Sequence, residues 1–126
     1  MADSVVTNVA KEKMVKARAG ISTLPPIAGM AFGDGAVNGA SIRTPLATDT
    51  GLQHELLRQT VDGHEYKASN LSVVYTCTLS QTALANNNIN EIALYDSAGD
   101  LVAIKSFSNK GKDEDMEMVF TIEDMF

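Results

Sequence analysis

Apolar and polar positions alternate most cleanly near the end of the chain. Met116, Met118, Phe120 and Ile122 fall on one side of an extended segment, and Glu117, Val119, Thr121 and Glu123 on the other. That period of two predicts an antiparallel strand with one buried face. Leu71–Leu79 repeats it, with Val73, Tyr75, Cys77 and Leu79 opposite Ser72, Val74, Thr76 and Thr78. Ile89–Asp96 and Leu101–Phe107 flank Ser97-Ala98-Gly99-Asp100, which predicts a hairpin with a short loop. Glu55–Val61 and Glu65–Ser69 flank Asp62-Gly63, the strongest short hairpin signal in the chain. Residues 81–90, with three successive asparagines at Asn86, Asn87 and Asn88, read as a loop. Residues 109–113 read as a further connection.

The first residues follow a different period. Val6, Val9, Ala10, Lys13, Met14 and Ala17 recur at helical spacing, predicting a helix over 4–19 with Ser4 as its N-cap and Gly20 as its stop. A stripe of small and β-branched residues holds a helix weakly in isolation, so it must dock on its own sheet or on another subunit. Pro25-Pro26 enforces extended chain. A short apolar run, Ala28–Phe32, reads as an isolated strand that stops at Gly33-Asp34-Gly35. Residues 33–49 show no sustained period and read as a long loop, functional or mobile. The expected class is α+β: a mainly antiparallel β-sandwich or twisted sheet with one N-terminal helix. It is read as a single domain over 1–126 with its β-rich body at 52–124.

Composition narrows the function classes. At 126 residues, 44% hydrophobic and 21% charged, the chain has the profile of an ordinary globular domain. One cysteine excludes an internal disulfide framework. No apolar run reaches membrane-span length and the N-terminus has no apolar core of a signal peptide, so no membrane insertion is expected. The net charge of −6 is unevenly spread: residues 1–20 carry +2 through Lys11, Lys13, Lys16 and Arg18, while residues 111–126 carry −5. Only the first segment offers a basic footprint, and four charges on one short helix read as a solvated face. No nucleic-acid partner is expected. The two ends are instead expected to attract each other, within or between subunits.

The candidates for chemistry each have a plainer reading. His54, His64 and Cys77 would give three zinc ligands if a hairpin brought the histidines together, but the spacing matches no known pattern. Cys77 mid-strand reads as a small buried hydrophobe. Gly33-Asp34-Gly35 lacks the helix or Gly-Lys-Ser/Thr of a phosphate cradle; its glycines are expected to permit positive φ, with Asp34 bonding its own turn. Asp34 and Asn38 lack the companion carboxylates that calcium needs. Asp113-Glu114-Asp115 and Glu117 read as a solvated turn. Met125 and Phe126, two large apolar residues at the end of the sequence, read as a subunit contact. No nucleophile–base pair has a local signature, so no enzyme, cofactor or metal is expected.

Particular residues carry a family resemblance. The succession from Thr7 to Gly20, then Ile27–Gly35 ending in Gly33-Asp34-Gly35, then Thr44-Pro45-Leu46 and Leu52–Arg58 with Glu55 and Arg58, resembles the N-terminal head domain of bacteriophage tail-collar fibre proteins. Asn90–Asp96, with Glu91, Leu94 and Asp96, followed by Gly99-Asp100-Leu101-Val102-Ala103, resembles that family's second hallmark. Ala93 stands where the family usually has Gly, and the sequence stops at Phe126 where members usually continue into a fibre shaft.

The resemblance implies a stand-alone, prophage-type structural component that attaches fibre or baseplate parts of a tail through protein–protein contacts. Its place would be the virion tail, or the host cytoplasm during assembly, and its partners other tail or baseplate proteins and copies of itself. The expected contact surfaces are the helix stripe (Val6, Val9, Met14), the 33–49 loop and the tip at Met125 and Phe126. The alternative is a free-standing carbohydrate or receptor recognition module, for which three tyrosines and no tryptophan give few aromatic platforms.

Overall fold

The computed structural model describes residues 4–125, with the side chain of Met125 left out. A two-residue strand, β1 (Val5–Val6), leads into helix α1 (Asn8–Arg18) and then β2 (Ile27–Gly33). Two short strands, β3 (Val37–Asn38) and β4 (Ser41–Ile42), precede β5 (Glu55–Thr60), β6 (Gly63–Lys67) and β7 (Ser72–Leu79). The longest strands close the chain: β8 (Asn87–Asp96), β9 (Leu101–Lys112) and β10 (Met118–Met125). They form a five-stranded sheet in the order β1-β9-β8-β2-β5, a three-stranded sheet in the order β10-β7-β6, and the small β3–β4 pair. Every pairing is antiparallel. With one short helix beside them, the class is α+β, as the periodicity predicted.

The two larger sheets bury a shared core. Met30 and Phe32 of β2, Ile92 and Leu94 of β8 and Ala103 of β9 meet Cys77 and Leu79 of β7 and Phe120 and Ile122 of β10. Phe120 joins the layers: its ring lies 5.2 Å from that of Phe32, edge to face, and 6.1 Å from that of Phe107, stacked. The period of two in β7 and β10 delivers this directly, because alternate side chains reach one face. The large sheet also buries its other face, with Ala31, Ala93, Leu101 and Ile104 packed against Leu52 and Tyr95. A strand covered on both faces loses its alternation. Accordingly, every residue of β8 from Ile89 to Leu94 is buried.

Helix α1 starts later than its periodicity implied. Val5 and Val6 are β-branched and pair with Ile104 and Ala103 at the edge of β9. Val6 therefore lies in a strand and not on the helix stripe. Thr7, not Ser4, is the N-cap: its Oγ1 accepts from the Ala10 amide at 3.2 Å and donates to the Leu101 carbonyl at 2.7 Å. The far end closes as expected, with Gly20 at φ +77° and bonds from Gly20 N to the Ala17 carbonyl and Ile21 N to the Lys16 carbonyl. The stripe docks on its own chain: Ala10 is buried, and Val9, Lys13, Met14 and Ala17 are half-buried.

Four further expectations need correction. Asp62-Gly63 does not turn a hairpin: β5 pairs with β2 and β6 with β7, so the chain there crosses from one sheet to the other. The run Ala28–Phe32 is not isolated but lies between β8 and β5. The 33–49 loop holds the β3–β4 pair, and the loop expected over 81–90 ends at Asn86, with Asn87 and Asn88 already in β8 and paired to Lys112 and Gly111. Within the chain, Lys13 of the basic helix binds Asp96 and Asp100, and Lys16 binds Glu12.

Because Phe120 spans both layers, Phe120→Ala should cost about 3–5 kcal/mol of unfolding free energy. Urea denaturation followed by circular dichroism reads this as a lower midpoint at an unchanged slope.

Candidate functional site

The motif residues converge on a buried carboxylate. Glu91 sits in β8 opposite Gly33 and is only 2% exposed. Its Oε2 accepts from the Gly35 amide at 2.9 Å and the His54 amide at 2.9 Å, and its Oε1 from the Gln53 amide at 2.8 Å. A buried charge is tolerated only when such donors surround it. Its neighbour Asn90, also buried, completes the lock. Asn90 Oδ1 accepts from the Ala36 amide at 2.9 Å, and Nδ2 donates to the Asp34 carbonyl and to Asn109 Oδ1, both at 2.9 Å. Two adjacent side chains thus clamp both ends of the 34–54 segment against β8.

This clamp explains the glycines, and not through positive φ. The glycines with positive φ are Gly20, Gly39 and Gly99. At Gly33 a Cβ would lie 2.4 Å from the His54 carbonyl oxygen and 2.7 Å from Glu91 Oε2; at Gly35 it would lie 2.5 Å from the His54 nitrogen. Glycine is needed because residues 53–54 and the carboxylate approach too closely for any side chain. Asp34 does not close its own turn with its carboxylate, which meets the exposed His54 ring instead. Residues 34–54 are tied down further on. Arg43 holds Asp49 through paired bonds of 2.8 and 2.9 Å, Ser106 Oγ donates to the Arg43 carbonyl, and the Asn8 amide donates to the Ala47 carbonyl. The Arg43 guanidinium holds the Asp49 carboxyl below its ordinary range.

The second motif cluster organises the β8–β9 turn. Buried Asp96 accepts from the Ala98 and Asp100 amides at 3.0 and 3.1 Å, while Gly99 takes φ +91°. Lys13 of α1 reaches Asp96 at 2.6 Å and Asp100 at 2.7 Å, and these two carboxylates raise its pKa. Arg58 bonds Glu55 and the Gly99 carbonyl, both at 2.8 Å, and lies over the Tyr95 ring at 5.0 Å. Leu94 points into the inter-sheet core. Glu55, Arg58, Asp96 and Gly99 are therefore one network, and Gly33, Asp34, Gly35 and Glu91 another.

The other candidates stand apart. His54 meets Asp34, His64 lies beside the Tyr75 ring, and Cys77 is buried with its thiol pKa pushed up by that burial. Among the described residues no three potential metal ligands come together. Val9 and Met14 are half-buried, and Met125 pairs with Ser72 through its backbone. The side chain of Met125 and all of Phe126 lie outside the described residues. Exposed apolar side chains that the periodicity did not single out include Val15, Tyr66, Leu71 and Val119. No helix among the described residues is long and apolar enough to cross a membrane.

A cavity of about 180 Å³ lies between α1 and the two sheets, where Lys13, Tyr75, Asp96 and Asp124 approach one another. It is smaller than ordinary ligand pockets of roughly 300–1,000 Å³, and Lys13 and Asp96 are already committed to each other. Asp124 Oδ1 is buried there with no hydrogen-bond partner, and desolvation raises its pKa.

Three results follow from this geometry. Glu91→Ala should lower stability by at least about 1.5–3 kcal/mol and speed amide exchange at Gly35, Gln53 and His54. Gly35→Ala should destabilise by steric conflict, whereas Gly51→Ala, with nothing within 4 Å of its Cβ position, should not. Asp124 has a folded-state pKa above its unfolded value, so its protonation favours the fold and that contribution is lost as pH rises through the folded value. Asp124→Asn should therefore be more stable than the parent near neutral pH, with the difference shrinking in acid. Urea unfolding across pH measures it.

Comparison with known proteins gives one family. The model described as phage tail-collar fibre protein, N-terminal, matches residues 1–121. No curated protein and no solved structure matches the chain. The chain belongs to the phage tail-collar fibre protein family.

Proposed function

We propose, from that membership, that this chain is the attachment part of a phage or prophage-like tail, joining fibre or baseplate components through protein–protein contacts. The family match over residues 1–121 carries the reading and makes the chain a structural protein of the virion tail. The architecture supports the finer statement. Its buried polar groups are spent on holding backbone: Glu91 and Asn90 fix the 34–54 segment, and Asp96 fixes a turn and the helix. A part that transmits load needs a body that does not rearrange, and such internal locks supply one. We read residues 1–126 as one unit that associates with its own kind, and its assembly as taking place in the host cytoplasm. Catalysis forms no part of this reading.

The decisive experiment is capture. A tagged full-length chain, produced together with the tail proteins of its own particle, should retain a fibre or baseplate protein, identified by mass spectrometry. It should also be present in purified particles. Its absence from the particles and failure to hold any tail protein would overturn the assignment. Reproducible binding on a glycan array in that case would favour a recognition module. Self-association is read separately, by light scattering of the purified chain over a range of concentrations.

A further inference from the structure

The three-stranded sheet ends on one side at β10, which pairs with β7 without a register shift and has no strand on its other side among the described residues. Charged side chains, prolines and bulges blunt a sheet edge. The opposite edge, β6, carries Glu65 and Lys67, whereas β10 from Met118 to Ile122 carries no charge, no proline and no bulge. Val119 stands on it 59% exposed. Strand β9 of the other sheet lies beside β10 without pairing to it. Its own pairing with β1 ends at Ile104, and beyond that point β9 has no further strand on that flank among the described residues. Between the two open edges runs a groove of about 530 Å³.

The lining of this groove selects what can enter. Buried Ile92 and Phe120 and half-buried Phe107 give it apolar surface. Its charged residues are Lys105 and Lys110, and no carboxylate lines it. Neither lysine has an ion-pair partner among the described residues; Lys110 Nζ lies over the Phe107 ring at 5.7 Å. In a chain of net charge −6, this is a locally positive slot that attracts carboxylates. Its flank is a regular strand edge whose backbone groups suit an extended chain, the arrangement by which a sheet takes up a further strand.

We propose that this groove takes an extended, acidic segment of another tail protein, which adds to the β10 edge and sets carboxylates against Lys105 and Lys110 and an apolar side chain over Phe107. The proposal rests on the attachment reading above and names its surface and the chemistry of its partner. Backbone hydrogen bonds along Met118–Ile122 give affinity, and the side chains turned into the groove give specificity. Successive side chains of a strand point to opposite faces, so the segment carries its acidic and apolar groups at alternate positions.

Crosslinking and charge reversal test it on the full chain, produced together with the tail proteins of its own particle. With Val119→p-benzoylphenylalanine, light should join the chain to a retained tail protein. The joined peptide, sequenced by mass spectrometry, should carry Asp or Glu at alternate positions around an apolar residue. For that same tail protein, Lys105→Glu/Lys110→Glu should raise the dissociation constant about tenfold or more, and Lys105→Arg/Lys110→Arg should stay within about threefold of the parent. Thermal melts show that each variant is folded. Amide exchange should slow over Met118–Ile122 on binding and stay unchanged over Gly63–Lys67. Retention indifferent to the charge reversal, a joined peptide without carboxylates, or a crosslink to a second copy of this chain overturns the groove and leaves the attachment reading standing. A parent chain that retains no tail protein overturns both.

Discussion

A carboxylate removed from water must be surrounded by donors, and much of this molecule is arranged to meet that demand at Glu91. Among the described residues no cation bonds it; three backbone amides do, from Gly35, Gln53 and His54. Those donors belong to two stretches of chain separated by the long segment between β2 and β5. Both stretches have to arrive at the same point on β8, and they do so at distances that exclude a Cβ at Gly33 and Gly35. Removing the carboxylate would strand three amides, and adding a side chain would push them away. The glycines and the acid are thus one device, with Asn90 as its second hand.

The strands of the body were legible because their physics is local. Alternation in β7 and β10 put Cys77, Leu79, Phe120 and Ile122 on one face, and those residues form the core. The β8–β9 hairpin was legible because its loop carries Gly99, whose positive φ the turn requires. What failed depended on distant partners. Asp62-Gly63 has the composition of a hairpin turn, yet nothing in those two residues tells the chain to keep the next strand in the same sheet. The pairing of β5 with β2 and of β6 with β7 decides that. Ser4 is as good a capping residue as Thr7, but the edge of β9 claims Val5 and Val6 first.

The clamp was half legible. The family resemblance singled out Gly33, Asp34, Gly35 and Glu91, but the glycines were assigned to backbone dihedrals, when their real constraint is the nearness of His54. Neither composition nor spacing reveals that a glutamate in the middle of a strand faces inward. Its alternation partners, Ala93 and Tyr95, fit a buried position as well as an exposed one. Ala93 lies opposite Ala31 on one side and Ile104 on the other, buried with Leu101 against Leu52 and Tyr95.

The polar networks also divide the molecule into parts that are satisfied and parts that are not. Around Glu91, Asn90 and Asp96, each hydrogen bond closes on the chain itself, and α1 is tied in through Lys13. At β6 the side chains are in solvent and the outer backbone row has no strand to pair with among the described residues. A sheet edge of that kind gains from a neighbour, whereas a closed network can only lose by one. The 33–49 stretch, read from sequence as a long loop, holds the β3–β4 pair and is fastened to the body through Asn90, Glu91 and Ser106.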